Sequence, residues 1–113
     1  MTDIQNFREL LSKGLYFHNL VDLERFCTIK LSFSEENFLV WYILKDIFHQ
    51  LQILWETYQP ISKIESDYIN AMLLEPIDNL LDSLETEGSK SFISVHLEEI
   101  TKKYFELSQN FRE

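Results

Sequence analysis

The stretch from Ser34 to Tyr58 contains neither glycine nor proline, and it limits the fold of this chain more than any other. Within it Val40, Leu44, Phe48, Leu51, Trp55 and Tyr58 recur at steps of four, four, three, four and three. Residues so spaced share one face of an α-helix. Lys45, His49, Gln52 and Glu56 repeat on another face. Between Phe38 and Leu44 every side is apolar, and a helix apolar all round needs cover all round. Ser34 is placed to cap the amides left free at the helix start, and Glu35 and Glu36 suit the positive end of its dipole. The expectation is a central helix over about 35–58, roughly 36 Å long, with the rest of the chain packed on it.

The remaining segments read as shorter amphipathic helices. Thr2 and Gln5 fit a capping box, Ile4, Phe7, Leu10 and Leu11 make one apolar face, and Gly14 ends that helix. After a connector at Leu15 to His18, Asn19 is placed to cap a second helix that buries Leu20, Leu23, Phe26 and Cys27 and stops near Lys30. Pro60 closes the central helix. Ser62 and Glu65 fit a second capping box, with Ile64, Tyr68, Ala71 and Met72 facing inward after it. Pro76 lacks a backbone donor and disfavours helical angles at Glu75, so a break or kink is expected there. Ile77, Leu80, Leu81 and Leu84 resume the pattern until Gly88. A last helix from about Ser94 buries Leu97, Ile100, Tyr104, Leu107 and Phe111. The fold class predicted is all-α: a compact, monomeric bundle of five to six helices forming a single domain over residues 1–113. Two glycines and two prolines leave few tight turns, which argues against a sandwich or barrel.

Charge and cysteine content narrow the function. The formal net charge is -9, a field that repels phosphate and anionic membrane and attracts a basic protein. Direct nucleic-acid or membrane binding is therefore not expected. The single Cys27 excludes an internal disulfide and suits a reducing compartment. The opening MTDIQNFREL lacks the pattern of a signal peptide, and no apolar run approaches the ~20 residues needed to span a bilayer, so a cytoplasmic location is expected.

No motif for chemistry emerges. Asp46 and His49 sit at i and i+3, as in half of a di-metal carboxylate site, but no second pair accompanies them. Cys27 reads as a small buried hydrophobe. There is no Ser-His-Asp order, phosphate loop or CxxC. No enzyme activity, metal or cofactor is expected. The sharper feature is electrostatic. From Ile64 to Ser89 the acids are Glu65, Asp67, Glu75, Asp78, Asp82, Glu85 and Glu87, with no Lys or Arg among them. Glu75, Asp78, Asp82 and Glu85 step by three, four and three, opposite the Leu80/Leu84 face. Like charges at this spacing cost a helix roughly 0.2–0.5 kcal/mol per pair. A stripe of one sign, relieved only on binding, suits a basic partner.

Ser34-Glu35-Glu36-Asn37 followed by Trp41 resembles the SEENxxxW signature of the regulator-of-G-protein-signalling (RGS) domain family. Phe7, Leu10, Leu11, Leu23 and Phe26 also fall roughly at that family's apolar positions. The resemblance covers residues 7 to 48 and implies an all-helical GTPase activator whose Glu35, Glu36 and Asn37 region meets a Gα subunit. It places Glu36 and Asn37 at one end of the bundle, beside the loop after Tyr58. Beyond residue 48 the family's later Arg-containing cluster has no counterpart. The physical profile fits a different function better. A short, acidic, Cys-poor helical protein without chemistry suits an immunity or antitoxin protein. It would cover the cleft of a basic nuclease toxin in a 1:1 complex, with partner-binding residues Glu65, Asp67, Glu75, Asp78, Asp82 and Glu85.

Overall fold

The computed structural model describes residues 3–33, 37–58, 61–86 and 90–112. Among them are five helices and no strand: α1 (Asp3–Leu11), α2 (Phe17–Phe33), α3 (Phe38–Thr57), α4 (Lys63–Glu85) and α5 (Lys90–Arg112). The molecule measures 41 × 24 × 20 Å. Helices α2 and α3 pair along their lengths, as do α4 and α5, each pair joined by a short connection. Such neighbours run antiparallel. Packing of α3 on α5 joins the two hairpins, and α1 lies against both α2 and α4. The close backbone neighbours of α3 are α2 and α5. The layout is thus two hairpins strapped together, where a hub with the other helices around it was expected.

The core is one apolar cluster fed by all five helices, including Leu20, Leu44, Leu51, Ile69, Leu80 and Ile100. Phe7 is the plug that α1 contributes. Its ring is fully buried, 5.1 Å from Phe26, 5.4 Å edge-on to Trp41 and 6.1 Å from Phe48. Trp41, in the stretch expected to be covered all round, is buried, with Lys30 Nζ 5.6 Å above its ring. The other side of the same stretch stays open: Phe38, Leu39 and Tyr42 are each more than half exposed. Cover all round was expected of Phe38 to Leu44, but α2 and α5 reach only two sides of α3.

The turn between α1 and α2 is held by two amides. Gly14 has φ +90°, and a Cβ there would lie 2.5 Å from the Tyr16 ring, so glycine is required. Asn19 was expected as an N-cap. Helix α2 instead starts at Phe17, and the buried Asn19 turns back, its Nδ2 donating to the carbonyls of Leu10 (2.9 Å) and Gly14 (2.6 Å). From α4, Asn70 Oδ1 accepts from the Leu15 amide at 2.7 Å. Helix α2 also runs past Lys30 to Phe33, since nothing in Leu31 to Phe33 breaks it.

Pro76 does not divide the fourth helix. Ser66, Ile69, Leu73, Pro76, Ile77, Leu80 and Leu81 are all buried on it, so one inner face continues across the proline at three-four steps. Burial of that face, with the ring in the core, offsets the missing hydrogen bond. The inner face differs from the expected one: Ile64 is 83% exposed, and Tyr68 and Ala71 are exposed too. The Ser62–Glu65 capping box is present, both bonds at 3.1 Å. Helix α5 begins at Lys90, a turn before Ser94. Thr2, Ser34, Glu35, Glu36, Pro60, Glu87 and Gly88 lie outside the described residues.

Candidate functional site

Asp67, Ala71, Glu75, Asp78, Asp82 and Glu85 follow one another on α4 at steps of four and three, so the acids share one exposed face. Glu65 is set apart from them, because its carboxylate serves the capping box at the helix start. The stripe was expected to have no cation of its own until a partner arrives. The structure supplies one from α1. Arg8 donates through Nη1 to Asp78, through Nη2 to Asp82 at 2.5 Å and through Nε to Glu85 at 2.9 Å. A planar guanidinium presents five donors in a fixed fork, and carboxylates at i, i+4 and i+7 offer three acceptors along one line. Part of the like-charge repulsion is therefore relieved within the chain.

Burial alone would lower the Arg8 pKa. The hydrogen bonds Arg8 donates to Glu85 and Asp82, with the charges of Asp78 and Asp82, outweigh it and raise the pKa above its usual value. Arg8 stays charged at any working pH. One guanidinium serves three carboxylates, and the side chains of Asp78, Asp82 and Glu85 remain 56, 67 and 44% exposed. The cluster thus keeps an excess of negative charge, with three of its carboxylates held in place. Beside it, a groove of about 350 Å³ between α1 and α4 is lined by the apolar Leu11 and Leu74 together with Arg8, Ser12, Glu75 and Asp78. A lysine or arginine stem would find apolar contact there and its head the Glu75 carboxylate, which Arg8 leaves to it.

The other candidates separate. His49 Nδ1 lies 3.2 Å from Glu24 Oε1, an oxygen that also accepts from Gln52 Nε2 at 2.6 Å. This contact ties α3 to α2 and involves no partner from Asp46. Among the described residues no three His, Cys, Asp or Glu side chains converge to hold a metal. Cys27 is fully buried, and loss of solvation, with the charge of Glu24, pushes its thiol pKa far up. It has none of the thiolate character of a nucleophile. Asn37 adopts φ 58° and ψ 33° ahead of α3 and makes no side-chain cap bond. It sits at the opposite end of α3 from Tyr58, about 30 Å away along the helix. The expected surface joining Asn37 to the loop after Tyr58 is therefore not assembled.

Sequence reasoning missed Arg8 as part of the site. The available signal was that Arg8 follows the buried Phe7 on a short helix, while the stripe had no cation nearby in sequence. No helix among the described residues is long and apolar enough to cross a membrane. No protein-family model matches the chain, and comparison with curated proteins and with solved structures returns no similar protein.

Proposed function

We propose that the protein is a binding protein without chemistry of its own, an immunity or antitoxin protein that neutralises a basic nuclease by covering its nucleic-acid cleft. The observation that supports this most is the ordering of Asp78, Asp82 and Glu85 by Arg8 on an exposed face that Asp67 and Glu75 extend. Carboxylates already fixed in a row lose little freedom on binding, which favours affinity. Their spacing along α4 offers a nuclease's lysines and arginines acceptors in place of phosphates. The net charge of -9 extends the attraction and speeds encounter.

The test is inhibition of a panel of basic nucleases, including any encoded beside this gene, at equimolar chain. Asp67→Lys with Glu75→Lys should weaken inhibition and leave the fold intact, since both side chains are exposed and Arg8 pairs with other carboxylates. Failure of the wild type to inhibit any of them would remove the nuclease as partner.

A further inference from the structure

A second surface lies on the outer side of α5. Leu39 and Ile43 of α3 and Leu97 and Phe105 of α5 line a groove of about 540 Å³, together with Glu98 and Lys102. On α5, Val95, Glu98, Lys102 and Phe105 follow at steps of three, four and three, so they form one stripe, and all four are exposed. Val95 is 56% and Phe105 62% exposed. Beside the stripe stands Leu39, also more than half exposed.

The order of this stripe is apolar, acidic, basic, apolar. Turned end for end, it matches itself. A two-fold axis passing over Ile100 at right angles to α5 brings Val95 against the partner's Phe105 and Glu98 against the partner's Lys102. Each contact occurs twice, as an isologous interface requires. Each Phe105 then enters the other copy's groove near Leu39. We propose that a second copy of this chain occupies the groove, forming a two-fold dimer through antiparallel α5 helices.

Size agrees with that occupant. Burying the exposed parts of Leu39, Val95 and Phe105, about 100 Å² each, with the remainder of the half-buried Ile43, removes roughly 350 Å² of largely apolar surface per subunit. A standard interface takes ~800 Å² per partner, a little over half of it non-polar. The dimer face shares no residue with the acidic stripe on α4, so self-association and capture of a basic partner are separate events. With -9 on each copy, long-range repulsion opposes the dimer, whereas the two ion pairs flank the axis as short-range contacts that salt screens less. Added salt therefore strengthens this association, the reverse of its effect on a basic partner.

Sedimentation equilibrium of the full chain, at low salt and at about 0.5 M NaCl, tests the dimer up to about 100 µM. The wild type should be dimeric at the higher salt, and Phe105→Ser should weaken the dimer at least ~10-fold. Glu98→Lys alone and Lys102→Glu alone should each weaken it by roughly 5- to 10-fold, because each sets like charges opposite each other twice. The double variant Glu98→Lys/Lys102→Glu should restore it, as should mixing the two single variants. Circular dichroism confirms that these surface variants stay folded. A wild type that remains monomeric at the top concentration overturns the proposal. So does a dimer indifferent to Phe105→Ser, or charge reversals without rescue. A monomer that instead takes up an amphipathic helix from another protein in this groove also overturns it. None of these outcomes touches nuclease inhibition, which is read through Asp67 and Glu75.

Discussion

Arg8 links stability to the proposed function at the scale of one residue. Its three ion pairs are partly exposed, so each is worth well under its low-dielectric value. Arg8→Ala should lower stability by about 1–2 kcal/mol, since it also leaves the stripe's repulsion uncompensated. Arg8→Lys should fall between, keeping the charge and losing the fork. Urea unfolding measures both, and a loss under about 0.3 kcal/mol for Arg8→Ala would mean that the cluster is decorative. Cys27 gives a pH dependence. Burial raises its pKa in the folded state, so the folded thiol keeps its proton while the unfolded one loses it near pH 8.5–9. The unfolded state then binds fewer protons, and stability falls as pH rises, by about 1.4 kcal/mol per pH unit above that point. Between pH 8 and pH 10 the wild type should lose more stability than Cys27→Ala, and equal losses would contradict the burial argument. The burial of Cys27 was legible in its helical face. The contact of Arg8 with α4 was not, because it joins residues about 70 apart in sequence whose meeting depends on how α1 docks.

At the scale of the element, α4 shows where local rules yield to packing. A proline disfavours the middle of a helix by about 3 kcal/mol, which is why a break at Pro76 was the natural expectation. Ile69, Leu73, Ile77 and Leu80 present one face on both sides of it, and breaking the helix would have turned half of them to water. Pro76→Ala regains the hydrogen bond to Met72 and loses part of a buried ring. The net effect should be a gain of about 1 kcal/mol in unfolding free energy. A loss of that size would mean that the ring's packing outweighs the helix. The inner face was misassigned for a related reason. Choosing Ile64, Tyr68 and Ala71 as inward followed apolar side chains at helical steps, while the buried register passes through Ser66 and Ile69. Helix ends at capping boxes were legible, as Ser62 and Glu65 show. Ends set by tertiary contacts were not, as Asn19 shows by reaching back to the end of α1.

At the scale of the molecule, helical class and a single apolar core were legible from spacing, since Val40, Leu44, Phe48 and Leu51 are all buried. The arrangement into two strapped hairpins was not. Periodicity tells which face of α3 is inward, and it does not tell how many neighbours cover the rest. Hence the exposure of Phe38, Leu39 and Tyr42, and the groove beside α5, came only with the structure. The proposed function belongs to this scale, because it rests on net charge and on the acidic face together. Its most direct test is the association rate with an inhibited basic nuclease, measured against ionic strength. Wild type should associate at about 10⁷ M⁻¹s⁻¹ or faster at low salt and slow steeply as salt rises. Asp67→Lys/Glu75→Lys should associate more slowly, with a shallower salt slope. Equal rates and equal slopes for the two proteins would contradict binding through the α4 face.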